Sequence, residues 1–226
     1  MSLRNRQWIL RQRPHGLIQD GDLELVESVT PDLKDGQVLV RTVYLSIDPT
    51  NRTWMNDSEG YLPPVGLGDV MRGLTLGVVE QSRGERYKEG DLVMPLSGAW
   101  ADYAVVPEAG LRPVHRAPGL PLTANLSVLG MTGMTAYFGV TDVLKAKAGE
   151  TLVISAAAGA VGSIAGQVAK QRGCRVIGIA GGAEKCRWLT EELGFDAAVD
   201  YKNEDVGDAL DRFAPDGIDL NFENVG

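Results

Sequence analysis

The chain has 226 residues, 44% of them hydrophobic and 23% charged, with a formal net charge of −8. The composition is that of an ordinary soluble globular protein, and the acidity argues against a nucleic-acid or anionic-membrane partner. Two cysteines are too few for a disulfide scaffold and imply a reducing, cytoplasmic setting; no apolar run reaches the ~18 residues of a membrane span, and the charged N-terminus lacks the apolar core of a signal peptide.

In chain order, the arginines of "MSLRNRQWILRQRP" come first and read as the solvated edge of an N-terminal strand. "GQVLVRTVYLSID" alternates like a half-buried strand, with Val38, Val40, Thr42 and Tyr44 on one side. "LGVVEQS", "GDLVMPL" and "WADYAVVP" repeat the theme, punctuated by Pro31, Gly36, Pro49, Pro63, Pro64, Gly90, Pro95 and Pro107. Residues 1–121 are therefore expected to form an all-β domain, a distorted barrel.

From Leu122 the texture changes, and residues 122–226 read as a second domain of alternating strands and helices. "TLVISAA" is a compact apolar strand of the kind found in a parallel sheet covered on both faces. Val161, Ile164, Ala165, Val168 and Ala169 form one face of the next helix, which Gly173 ends. "RVIGIA" is a second strand, "AEKCRWLTEELG" a helix closed by Gly194, "AAVDY" a third strand, "EDVGDALDRFA" a helix and "IDLNFENVG" the start of a fourth strand. Such βαβ units predict an α/β, doubly wound parallel sheet.

Between the first strand and its helix lies Ala156-x-x-Gly159-x-x-Gly162, a dinucleotide fingerprint with alanine at the first glycine position. Gly159 would let the backbone approach a pyrophosphate, Gly162 would let helix and strand pack closely, and the amides of Ala160, Val161, Gly162 and Ser163 would face the anion. NAD-binding sequences place an acid at the end of the second strand, some twenty residues on. Here Ala180-Gly181-Gly182 stands there instead, with Lys185 a turn later. A missing anion and a nearby cation favour a 2′-phosphate, hence NADP(H); the alternative for Lys185 is a solvated helix lysine, with Glu184 beside it. His15 and His115 stand without cysteine or acidic partners at ligand spacing, so no metal site is expected.

A β-rich first half, a Rossmann second half and the motifs "LSIDPTNRTWM", "GYLPPVGLGDVMRG", "GMTGMTAYFG", "AAAGAVGSIAGQVAKQRGCRVIGIAG" and "FENVG" together resemble the zinc-independent branch of the medium-chain dehydrogenase/reductase superfamily. That is the group of leukotriene hydroxydehydrogenase/prostaglandin reductase, plant alkenal reductases and bacterial curcumin reductase. The zinc-dependent branch carries a catalytic cysteine near the "SID" strand end and a four-cysteine lobe, and this sequence has neither. The resemblance implies a GroES-like β-barrel domain followed by a Rossmann domain. It also implies NADPH-dependent reduction of the carbon–carbon double bond of α,β-unsaturated ketones and aldehydes by hydride transfer to the β-carbon.

By the same resemblance Lys185 and Tyr201 hold the 2′-phosphate end, Asn224 contacts the cofactor after the fourth strand, and Met131, Thr132 and Thr135 lie where a linking helix faces it. For Met131 the reading is core packing of that helix, with cofactor contact the alternative. Tyr61 falls on a loop lining the substrate cleft, where its phenol would either donate to the enolate oxygen or serve only as an apolar wall. Thr50 departs from the family, which often has tyrosine there. The family also has further βα units and a returning C-terminal segment beyond Gly226, so the Rossmann domain is expected to be incomplete and its edge prone to association, with a homodimer the expected form of the full-length protein. Two other readings stay open: a quinone reductase of the same superfamily, and a non-catalytic NADP-binding protein.

Overall fold

The computed structural model describes residues 2–58, 60 and 62–225. They divide into two units, 1–126 and 127–226.

In the first unit β1 (Arg4–Leu10) pairs antiparallel with β2 (Leu23–Val29) along its whole length. The N-terminal arginines are thus not a bare solvated edge: Arg4 pairs with Glu27, Arg6 with Asp102 at 2.9 Å and Arg13 with Asp57. Two of those acids, Asp57 and Asp102, come from segments far along the chain, which a local reading cannot see. β3 (Gln37–Leu45) leads to the short helix α1 (Pro49–Thr53), and then to β4 (Arg72–Gly73), β5 (Thr75–Ser82), β6 (Leu92–Pro95), β7 (Gly98–Ala99), β8 (Tyr103–Pro107) and β9 (Leu111–Pro113). Five of these strands form an antiparallel sheet in the order β8-β3-β5-β6-β9, and β4 pairs with β7.

The expected one-sided face of β3 is not continuous. Val38 and Val40 are buried with Val79, Val93 and Leu111, whereas Tyr44 is exposed. Register shifts against β5 after Leu39 and after Thr42 break the two-residue period. Gly77 of β5 sits at the crowded crossing: a side chain there would meet the Arg41 carbonyl oxygen at 2.4 Å.

In the second unit α2 (Met131–Phe138) precedes β10 (Thr151–Ile154), α3 (Ala160–Gln171), β11 (Arg175–Ala180), α4 (Ala183–Arg187), β12 (Ala197–Asp200), α5 (Val206–Phe213) and β13 (Leu220–Phe222). The sheet is parallel throughout, in the order β12-β11-β10-β13. Strand alternation sends Leu152, Ile154, Val176 and Ala180 to one face, where they pack with Ala165 and Ala169 of α3 and with Leu189. Val153, Ile177 and Val199 point the other way, to Ala209 of α5. Helices thus cover both faces, as the continuous apolar strands predict. Within the expected second helix, a π turn spans Trp188–Glu192 after α4, and the Thr190 hydroxyl bonds the Cys186 carbonyl at 3.2 Å, competing with the backbone ladder.

α3 carries glycine where its core face meets Phe195. A side chain at Gly166 would lie 1.9 Å from the ring, and one at Gly178 of β11 would meet the same ring at 2.9 Å. Beside it, Asp196 accepts from Lys170 Nζ at 2.8 Å and from the Val176 amide at 2.6 Å. Burial pushes the Asp196 carboxyl up, but Lys170 and the Val176 amide outweigh it and hold it below the ordinary range. A depressed folded value stabilises above the unfolded one and is lost as pH falls through the folded one. Asp196→Asn is therefore expected to flatten the loss of thermal stability as pH falls below the ordinary carboxylate value of about 4, measured by melting curves through the acid range; an unchanged acid limb would exclude Asp196 as its source.

Cys174 is buried and its thiol donates to the Lys147 carbonyl at 3.2 Å. Burial pushes both thiols up, and at Cys186 the charges of Asp200 and Glu204 add to it. Among the described residues no helix is long and apolar enough to cross a membrane.

Candidate functional site

The sheet order reverses at β10, which has β11 on one side and β13 on the other. In open α/β sheets a crevice opens at the carboxyl ends of the strands at such a point. The turn leaving β10 is the glycine turn. Ala156, at the fingerprint's first glycine position, has φ +43, a left-handed conformation that glycine adopts more readily. Its carbonyl accepts from the Gly159 amide at 2.8 Å, and the Ala157 amide donates to Ile179 at 2.9 Å, so the turn is fixed to the neighbouring strand. A side chain at Gly162 would stand 2.6 Å from the Ala156 oxygen and 2.8 Å from Ala157 Cα, so only glycine lets the helix approach this closely.

The amides of Ala160, Val161 and Gly162 have no backbone acceptor among the described residues. They sit at the N-terminus of a twelve-residue helix, where partial positive charge gathers. The Ser163 amide differs: it already donates to the Gly159 carbonyl at 3.0 Å. What Ser163 has left for a ligand is its hydroxyl.

A cavity of about 530 Å³ opens above this turn, lined by Ser155, Ala156, Gly159, Gly181, Lys185 and Tyr201 among others. Lys185 is exposed, one turn into α4, and among the described residues its ammonium has neither ion pair nor hydrogen bond. Tyr201 follows β12, with its ring lying where a Gly181 side chain would be, 2.8 Å from that position. The glycine pair after β11 therefore does more than omit an acid; it makes room for a phenol.

The acid that is missing from the end of β11 arrives from the next strand. Asp200 accepts from the Gly182 amide at 2.7 Å, from the Lys202 amide at 3.2 Å and from Asn203 Nδ2 at 2.7 Å. These donors, the Gly182 amide first, hold its carboxyl below the ordinary range. Asp200 is not legible from β11 itself, because its partner Gly182 lies eighteen residues away at another strand end. The polar run "DYKNED" directly after a strand was the available signal of an Asx turn.

Asn224 closes the other side of the crevice. Its amide donates to Ser155 Oγ at 2.7 Å, and its side chain donates to the Ser155 carbonyl at 2.9 Å, tying the ends of β10 and β13 together. Its Oδ1 is left as an acceptor. Thr132 donates its hydroxyl to the Ser127 carbonyl at 3.0 Å, within the turn that starts α2. Met131 is 58% exposed, which corrects the core-packing reading: the buried positions of α2 are Gly133 and Ala136. Thr135 is also exposed, and so is Thr50 of α1. Tyr61 lies outside the described residues. Among the described residues no three His, Cys, Asp or Glu side chains converge as metal ligands.

Two family models match the chain: an N-terminal domain of oxidoreductases over residues 6–114 and a zinc-binding dehydrogenase domain over 160–226. The NADPH-dependent curcumin reductase of Escherichia coli is 47% identical over 223 residues, which are 99% of this chain and 64% of that protein. Mouse prostaglandin reductase 1 is 39% identical over 98% of this chain and 65% of its own length. Among solved structures, CurA from Vibrio vulnificus in complex with NADPH superposes with a TM-score of 0.90 at 42% identity, over 98% of this chain and 65% of that one. The chain thus spans slightly under two thirds of the relatives it matches.

Proposed function

Because the chain belongs to the medium-chain dehydrogenase/reductase superfamily, in the group of curcumin, prostaglandin and alkenal reductases, we propose that its protein uses NADPH to reduce the carbon–carbon double bond of α,β-unsaturated ketones and aldehydes. The observation that carries the reading is one cavity lined together by the glycine turn at Ala156 and Gly159, by Lys185 and by Tyr201, with the unpaired amides of Ala160, Val161 and Gly162 following directly in the chain. Bound NADPH would supply a hydride to the substrate's β-carbon.

In this reading the turn at Gly159 and the amides of Ala160, Val161 and Gly162 hold the pyrophosphate, with Ser163 contributing its hydroxyl. Lys185 and Tyr201 hold the 2′-phosphate. Asn224 offers its remaining acceptor to the nicotinamide end, and Thr132 stands at the start of the helix assigned to the cofactor side. Negative charge develops on the substrate's carbonyl oxygen after hydride transfer, and a donor aimed there lowers the barrier. Tyr61 is assigned that donor role on the strength of its motif. A zinc-independent reaction is supported by the sequence, whose two cysteines and two histidines are scattered along the chain. A cytoplasmic homodimer belongs to the same reading, on the resemblance and the unpaired cysteines.

NADPH oxidation by the purified protein, followed with a panel of enones, enals and quinones, tests the reaction. Turnover of enones and enals above quinones is expected; quinones alone would establish the other reductase class, and no turnover with measurable NADPH binding would establish a binding protein. In the same assay Tyr61→Phe is expected to lower kcat and kcat/KM together by about tenfold or more, the signature of a contact made in the transition state. A change in KM alone would reduce Tyr61 to a wall of the cleft.

A further inference from the structure

We propose that Asp200 is a positioning residue that builds the cup for the 2′-phosphate and thereby sets the preference for NADPH over NADH; the inference rests on the NADP(H) reading above. An acid in this region normally marks the opposite preference, because it accepts from the ribose hydroxyls of NAD. Asp200 is turned inward instead. Oδ1 takes two amide protons, from Gly182 and Lys202, and Oδ2 takes a third from the Asn203 side chain. Three of its acceptor positions are thus taken by the protein's own donors rather than offered to a ribose.

Those bonds do geometrical work on both strand ends. The bond to Gly182 joins residues eighteen apart in sequence, tying the end of β11 to the end of β12. Gly182 has φ +102, a conformation in which a side chain would be strained, so its amide direction is not set by regular helix or strand geometry. The bonds to Lys202 and Asn203 shape the turn that carries Tyr201, whose own amide reaches the Ala180 carbonyl at 3.2 Å. Lys185 enters from α4, which begins directly after Gly182. Asp200 is itself held: its amide donates to Glu204 Oε1 at 3.1 Å, and Glu204 Oε2 accepts from Arg212 of α5 at 2.6 Å. The network ties Gly182, Tyr201 and the start of α4 to one carboxylate, without that carboxylate touching a ligand.

The test needs only the adenosine half of the cofactor, all of whose proposed contacts lie in the second unit. Adenosine 2′,5′-bisphosphate and 5′-AMP differ by the 2′-phosphate alone, so their affinity ratio, measured by calorimetry on this chain, reads the cup directly. The unmodified chain is expected to prefer the bisphosphate. Asp200→Ala should cut that preference roughly tenfold, the scale of one lost charge-assisted hydrogen bond, while the affinity for 5′-AMP moves less than about threefold. Asp200→Asn should restore most of it, because an amide oxygen still accepts from Gly182 and Lys202. Asp200→Glu keeps the charge but displaces the oxygens, and should lose the preference; it also serves should the alanine variant not fold. An alanine or glutamate variant with undiminished preference, a parallel loss for both ligands, or an asparagine variant as impaired as alanine would overturn the proposal. An unmodified chain that binds both ligands equally would overturn the NADP(H) reading itself, and this inference with it.

Discussion

Gly166→Ala is expected to destabilise the second unit by about 3 kcal/mol, at or beyond the upper end of ordinary overpacking penalties. The added carbon would lie 1.9 Å from the Phe195 ring, well inside van der Waals contact. Phe195 cannot swing aside: it is 4% exposed, belongs to the core that covers one face of the sheet, and has Gly178 against another of its edges. Helix propensity favours alanine over glycine by up to about 1 kcal/mol, which is too little to reverse the sign. Urea denaturation of the two proteins measures the effect. The cause is isolated by adding Phe195→Leu. Alone, that change leaves a partial cavity and destabilises; combined with Gly166→Ala it should remove the clash, so that the double variant is more stable than the sum of the two losses predicts. Simple additivity would mean that the ring is not what Gly166 accommodates.

Lys185→Ala should raise the KM for NADPH by about 10- to 100-fold and leave the KM for NADH nearly unchanged. A hydrogen bond to a charged group contributes about 1.5–3 kcal/mol, and only NADPH carries the phosphate that the ammonium would meet. The lysine is exposed, so screening puts the result toward the lower end, and added salt should narrow the gap between the proteins. Lys185→Arg should retain much of the NADPH affinity, since a guanidinium also binds phosphate. Steady-state kinetics with both cofactors reads all of this. Equal losses with NADPH and NADH would show that Lys185 supports α4 rather than a 2′-phosphate.

The parts of the molecule legible from sequence are those set by local periodicity. The apolar runs of β10 and β11 announce a sheet covered on both faces, and the 3.6-residue spacing of Val161, Ile164, Ala165, Val168 and Ala169 announces α3. The glycine turn was legible because Gly159 and Gly162 act through their own backbone. Most of what escaped was set by neighbours distant in sequence; the exception is the Ser163 amide, taken by the Gly159 carbonyl only four residues before it. The use of the Ser163 amide depends on how the first turn of α3 closes, and the exposure of Met131 depends on which side of α2 faces its own unit. Asp200 escaped for the same reason, since its partner Gly182 belongs to another strand. Tyr44 was misplaced because register shifts carry no composition signal: β3 looks regular as a string and loses its period only against β5.

The two thiols give the proposed chemistry an unexpected companion. An enal or enone is an electrophile, and the β-carbon that accepts hydride is also the carbon to which a thiolate adds. A reductase of such compounds works in constant contact with reagents that alkylate proteins. Attack requires the ionised sulfur, and both sulfurs here are held protonated: Cys174 by burial, Cys186 by burial and by the carboxylates of Asp200 and Glu204. Glu204 and Asp200, which brace the cup, thus have a second effect on the sulfur beside them, keeping it in its less nucleophilic form. Under the proposed function, a thiol kept protonated is a poorer target for the β-carbon of an enone than an ionised one would be.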